Sequence, residues 1–167
     1  VKWYRLAAKQ NNAQAQFNLG QLYESGERVT QDFKKVVKWY KRAAENGNEL
    51  AQLKLGTLFE KGKGVAKNFK KAAKWYKLAA RQGNETAQFN LGYMYSRGIG
   101  VKRNYNEAVK WYQLSAGQGN VIAQFNLGVF YIEGRGVRQS YSKAASWFRL
   151  AAKRGDAEAQ FRLGMMY

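Results

Sequence analysis

No cysteine, histidine or proline occurs in the 167 residues, and only eleven side chains are acidic. Without cysteine there is neither a disulfide framework nor a thiolate metal site. Without histidine as well, the commonest zinc sites, serine–histidine triads and papain-like chemistry lack their central groups. A site built from carboxylates alone would need acids that cluster, such as Glu24, Glu27 and Glu60 at neighbouring turns, whereas the pattern spreads them over rims expected to face solvent. No catalytic residue, metal ligand or cofactor is expected, and the chain reads as non-enzymatic. Long apolar runs are missing too. Nothing approaches the ~20 residues of a membrane span, and the opening VKWYRLAAKQ has neither a signal-peptide pattern nor an initiator methionine. A start in mid-pattern predicts ends cut from a longer parent.

What the chain does have is repetition. AQFNLG stands at residues 15–20, 87–92 and 123–128, with AQLKLG at 51–56 and AQFRLG at 159–164. The spacing is 36 residues throughout, and Trp3, Trp39, Trp75, Trp111 and Trp147 keep the same interval. A period of this length marks a solenoid, whose units cannot bury their own apolar faces and stack on their neighbours to do so. One rule places all five tryptophans, so none needs a separate functional role.

Within the unit at residues 85–120, Ala87, Leu91, Gly92 and Tyr95 recur at helical spacing and define a first helix, here called A. Gly98 and Gly100 break it, Ile99 and Val101 form a small apolar clasp, and the short turn brings the next helix back antiparallel. That helix, B, carries Tyr105, Ala108, Val109, Tyr112, Ser115 and Ala116 on one face. Gly47, Gly83, Gly119 and Gly155 end the linkers at a left-handed position, and Asn11 takes that place in the first copy. The pattern predicts B helices over about 1–10, 33–46, 69–82, 105–118 and 141–154, and A helices over about 13–25, 49–61, 85–97, 121–133 and 157–167. This gives one array of repeats at about 13–48, 49–84, 85–120 and 121–156 with a partial repeat at 157–167. Its apolar end, Met165, Met166 and Tyr167, predicts either further repeats in the parent or a self-associating surface.

The AQxxLGxxY block of helix A, the GxGV turn and the AxxWYxxAAxxGN block of helix B resemble the Sel1-like repeat, a relative of the tetratricopeptide repeat, over essentially the whole chain. The first turn departs from the pattern: GERV has Arg28 in place of the second glycine, and the following helix has Val36 and Val37 where alanines are usual, which predicts slightly different packing there. The resemblance implies an all-α, right-handed superhelix of antiparallel helix pairs. Helices A would line a concave groove and helices B form the convex back. It implies adaptors, chaperone-like factors and host-contact proteins, frequent in bacteria, that bind proteins or peptides without chemistry of their own. Localisation stays open, with the bacterial periplasm or secretion favoured over the cytoplasm. A cysteine-rich subset exists, and this chain departs from it.

If helices A line the groove, two rows face a partner. One is Phe17, Leu53, Phe89, Phe125 and Phe161; these rings either tuck into the contact between units or supply the floor of a peptide groove. The other is Asn18, Lys54, Asn90, Asn126 and Arg162. Asparagine is a poor helix former, and a ladder of amides can pin an extended peptide backbone while Lys54 and Arg162 take its carboxylates. Inheritance through duplication is the competing explanation. Tyr93 and Arg97 flank these rows, and Leu50, Ile122 and Val129 are apolar where the helical wheel predicts exposure, which suits a partner with alternating hydrophobic anchors.

The formal charge is +18. Lys70, Lys74, Lys77 and Arg81 fall on one stripe of a B helix, and Lys34, Lys38 and Lys41 repeat it one unit earlier. Solubility explains such a face, as does attraction to an acidic protein, glycan or phospholipid surface. Nucleic acid is disfavoured, because the aromatic residues lie on or beside the packed face and are not interleaved with the charge. The turns GKGV, GIGV and GRGV lack phosphate-loop spacing and follow no strand. The sequon at Asn84, Glu85 and Thr86 falls in a tight linker and is expected to be idle.

Overall fold

The computed structural model describes residues 1–166, and Tyr167, named above with the apolar end, lies outside the described residues. Ten helices and no strand occur among the described residues. Two compact units divide them. Unit 1, Val1–Asn84, holds α1 (Lys2–Lys9), α2 (Ala13–Ser25), α3 (Phe33–Glu45), α4 (Glu49–Lys61) and α5 (Phe69–Arg81). Unit 2, Glu85–Tyr167, holds α6 (Glu85–Arg97), α7 (Tyr105–Gly117), α8 (Val121–Glu133), α9 (Tyr141–Lys153) and α10 (Ala157–Gly164). In each unit successive helices pack as neighbours, α2 on α3 and α4 on α5, α6 on α7 and α8 on α9. The B helices α3, α5, α7 and α9 close one residue before the predicted end, and α10 ends at Gly164 where the pattern predicted helix to 167.

The recurrent GN before each A helix has a local cause. Gly47 and Gly119 take φ values of 85° and 103°, and Asn11, at the same place in the first copy, takes 63°. The next residue caps the helix: Asn12, Asn48, Asn120 and Asp156 accept a hydrogen bond from the backbone N–H of Ala15, Ala51, Ala123 and Ala159. Asp32, Asn68, Asn104 and Ser140 do the same for α3, α5, α7 and α9. A cap of this type contributes about 1 kcal/mol.

The glutamine of AQ ties consecutive helices together. Gln16 Nε2 donates to the Ala8 carbonyl at 3.0 Å, Gln52 to Ala44 at 3.1 Å and Gln124 to Ala116 at 3.0 Å, each reaching from an A helix to the end of the B helix before it. Asn46 and Gln82 then donate to the Oε1 of Gln16 and Gln52, binding the following B helix to the same point. In unit 2 Gln118 makes the same bond to Gln88 Oε1, whereas in the last repeat Arg154 donates to the Gly119 carbonyl and Gln124 Oε1 is buried without a hydrogen bond.

The glycine of LG makes room for one aromatic ring. A Cβ at Gly20 would stand 2.4 Å from Tyr40 Cδ1, and one at Gly128 2.4 Å from Phe148 Cε1. Tyr40, Tyr76, Tyr112 and Phe148 are accordingly buried against A-helix backbone. Val36 is fully buried and Val37 packs beside it, so the two valines join the core of unit 1. Trp39, Trp75 and Trp147 also pack on core clusters, whereas Trp3 is 77% exposed.

Candidate functional site

Three of the buried B-helix rings place a hydroxyl at the A-helix face, and the two units answer it differently. In unit 1 the Tyr40 hydroxyl donates to Glu24 Oε2 at 2.6 Å, and the same oxygen takes Lys54 Nζ at 3.3 Å. The Tyr76 hydroxyl bonds to Glu60 and, at 3.2 Å, to Thr57. Burial raises the pKa of Tyr40 well above the usual phenol range, and the Glu24 carboxylate raises it further. Glu24 and Glu60 were expected on solvent-facing rims. They are half-buried acceptors for core hydroxyls, because a tyrosine that fills the core must still satisfy its O–H.

In unit 2 the carboxylates disappear. Ser96 and Ile132 occupy the places of Glu24 and Glu60, and opposite Ile132 the ring is Phe148, which has no hydroxyl to satisfy. Tyr112 keeps its hydroxyl opposite Ser96. Burial raises its pKa, while Ser96, Arg97 and Asn126 lower it and Tyr93 adds to the rise. Ser96 Oγ itself donates to the Tyr93 carbonyl at 2.7 Å.

Around this hydroxyl opens a cavity of about 440 Å³, lined by Tyr93, Ser96 and Arg97 of α6, Arg103 of the turn, Tyr105 and Tyr112 of α7, Asn126, Val129, Phe130 and Glu133 of α8, and Arg135. Its floor is an aromatic corner in which Phe130 meets Tyr105 and Tyr112 edge-on at centroid distances of 5.9 and 5.7 Å. Arg135 pairs with Glu133 at 2.9 Å. Arg97 lies 5.9 Å from the Tyr93 ring and Arg103 5.6 Å from the Tyr105 ring. Neither has an ion pair among the described residues, so the cavity keeps a surplus of positive charge.

Of the candidates read from the sequence, Tyr93, Arg97, Asn126 and Val129 meet in this cavity. Ile122, on the same helix as Asn126, is 56% exposed. Phe89 rests on Tyr112 at 5.9 Å, as Phe17 rests on Tyr40 and Phe125 on Phe148 at 5.5 Å, so these rings pack on the B helix of their own pair. Asn90 is half-buried on α6. Asn18 and Lys54 belong to unit 1, where Asn18 accepts from Gln14 and Lys54 pairs with Glu24. Arg162 pairs with Glu158 at 3.0 Å. Ser96, Arg103, Tyr105 and Tyr112 were not among the candidates. The signal for Ser96 and Tyr112 is the joint change of Glu24, Glu60, Ser96 and Ile132 with Tyr40, Tyr76, Tyr112 and Phe148, which is visible once the copies are aligned; Arg103 and Tyr105 carry no such signal.

On the basic side of unit 1, Lys34, Lys38, Lys70, Lys74 and Arg81 are exposed, Lys77 is half-buried and Lys41 stands 3.8 Å from Glu45. A second cavity of about 590 Å³ lies there, between Lys41, Lys71, Lys74, Trp75 and Leu78. Among the described residues no group of three acids is arranged to hold a metal ion, and no helix is long and apolar enough to cross a membrane.

The family model described as Sel1 repeat matches residues 1–12, 13–48, 50–84, 86–120, 121–156 and 157–167. Among solved structures, the chain is similar to c5321 of uropathogenic Escherichia coli, described as a protective antigen with an SLR fold. The match has 39% identity and a TM-score of 0.91 over 99% of this chain and 36% of that one. A Sel1 repeat protein from Oxalobacter formigenes matches at 40% identity and a TM-score of 0.88 over 92% of this chain and 63% of that one. Helicobacter pylori cysteine rich protein B shares the fold at 24% identity and a TM-score of 0.62. The chain thus spans about a third and under two thirds of the length of the first two structures. No curated protein matches the chain.

Proposed function

Since the chain belongs to the Sel1 repeat family, whose members are generally non-catalytic protein-interaction scaffolds, we propose that it is a non-enzymatic scaffold that binds a protein or peptide along the exposed faces of its A helices. The observation that carries this reading is the cavity of unit 2, where Tyr93, Arg97, Asn126 and Val129 converge from two successive A helices. Exposed Tyr93 and Ile122 stand on the same two helices and offer apolar anchors beside polar donors. A site with apolar walls and a few placed polar groups is the usual composition of a recognition surface. The test begins with a partner captured from a bacterial lysate at physiological salt and then titrated against purified wild type and Asn126→Ala. Weaker binding with unchanged helicity supports the reading, and unchanged affinity for both Asn126→Ala and Tyr93→Ala removes it.

A second reading is favoured by a different observation. Lys34, Lys38, Lys70 and Lys74 are exposed with no ion pair among the described residues, and the 590 Å³ cavity on the same unit is lined by Lys41, Lys71 and Lys74 and walled by Trp75 and Leu78. This face suits an anionic polymer or surface held by long-range attraction. Binding of that kind falls steeply between low and moderate salt.

A further inference from the structure

Within unit 1 the structure contains its own example of what a B-helix tyrosine binds at the A-helix face. Glu24 Oε2 receives the Tyr40 hydroxyl at 2.6 Å and Lys54 Nζ at 3.3 Å, so a carboxylate sits between a phenol and a cation. In unit 2 the residues at the matching places are Ser96 for Glu24, Tyr112 for Tyr40 and Asn126 for Lys54. The donors remain and the acceptor is gone. The neighbouring repeat, with Ile132 and Phe148, has lost both, which is the change expected when only packing is kept. Of the four buried rings Tyr40, Tyr76, Tyr112 and Phe148, Tyr112 alone keeps a hydroxyl with no carboxylate at the matching place of its own A helix.

The surroundings favour an anion at that place. Arg97 and Arg103 line the cavity without an ion pair among the described residues, and the acid present, Glu133, is engaged by Arg135 at 2.9 Å. The Asn126 amide and the Tyr112 hydroxyl supply neutral donors beside them. Charge-assisted hydrogen bonds in a partly enclosed site are the strong ones, and a planar carboxylate fits a guanidinium fork better than a spherical anion does. We propose that this cavity is a carboxylate subsite. An aspartate or glutamate side chain of the protein partner inserts beside Tyr112 and takes the place that Glu24 fills in the first helix pair. The inference rests on the scaffold reading above and deepens it, by naming the chemistry of one anchor in the partner.

The test uses the whole chain and a defined probe, an acetylated and amidated Ala-Glu-Ala peptide, with the Ala-Gln-Ala peptide as control. Side-chain NMR signals of Arg97, Arg103 and Asn126 are followed during titration. The expected result is a saturable shift of these signals with the glutamate peptide and none with the glutamine peptide. Ser96→Glu restores the internal acid in a helical register where Glu24 and Glu60 are already accommodated, and it should weaken probe binding about tenfold or more while leaving the fold intact. Equal shifts with both peptides, or undiminished binding to Ser96→Glu, would overturn the proposal. Inorganic phosphate shifting the same signals at lower concentration than the glutamate peptide would also overturn it, in favour of a phosphate site. The scaffold reading fails separately: a captured partner that binds Ser96→Glu as well as wild type but loses affinity with Tyr93→Ala leaves the scaffold standing and removes only the carboxylate subsite.

Discussion

The Tyr40 hydroxyl and the Glu24 carboxylate meet at 2.6 Å, and the relationship joins helix B to helix A of one repeat at its polar edge. The ring is buried by the close approach that Gly20 permits, and the carboxylate gives the hydroxyl an acceptor without deepening the burial of a charge, since Glu24 remains half-exposed. Replacing Glu24 with alanine strands the Tyr40 hydroxyl and frees Lys54. The expected loss is about 1–2 kcal/mol, the lower part of the range for an unsatisfied buried group. Urea unfolding with an unchanged slope checks it.

The fourth repeat supplies the reciprocal experiment. Phe148→Tyr alone adds a hydroxyl facing Ile132 and should destabilise, whereas Phe148→Tyr combined with Ile132→Glu recreates the pair seen at Tyr40. A double-mutant cycle is expected to give a favourable coupling of about 1 kcal/mol between the two changes. Additive effects would mean that the match between Ile132 and Phe148 carries no energy.

Gly20→Ala and Gly128→Ala test the close approach. Alanine exceeds glycine in helix propensity by about 1 kcal/mol. A Cβ placed 2.4 Å from a buried ring must nevertheless displace Tyr40 or Phe148. Overpacking of this kind costs about 1–3 kcal/mol, so the net effect should be destabilising by thermal or chemical unfolding.

Alkaline pH should weaken unit 1. The Tyr40 pKa is raised in the fold by burial first and Glu24 second, so folded Tyr40 stays neutral where the unfolded residue ionises. Its contribution is fully present below the unfolded value of about 10 and is lost as pH rises from there toward the folded value. The melting temperature is expected to fall above about pH 10, and less so in Tyr40→Phe combined with Glu24→Gln, where the titrating pair is absent.

The period of 36, the helix pairing, the left-handed Asn11 and the exposure of Ile122 were all legible in the sequence, because each depends on local chemistry repeated in register. The role of Gln16 was not, since an amide that reaches the Ala8 carbonyl and receives Asn46 is fixed only by the packing of three helices. The acids misled for a similar reason. Glu24 and Glu60 look solvated when taken singly, and their partners Tyr40 and Tyr76 lie sixteen residues away on the next helix. The candidate site was read in part: a helical wheel places Tyr93, Arg97, Asn126 and Val129 on one kind of face, but Arg103 enters from a turn and Tyr112 from the buried side of α7.

The most direct measurement is a titration at physiological salt of a partner captured on the whole chain, against wild type, against Tyr93→Ala with Ile122→Ser, and against Lys70→Glu with Lys74→Glu. A scaffold that uses its A helices predicts a loss of about tenfold or more in the first variant and little change in the second. Full affinity in the Tyr93 and Ile122 variant, with binding lost when the lysines are reversed, would contradict the account and place recognition on the basic face.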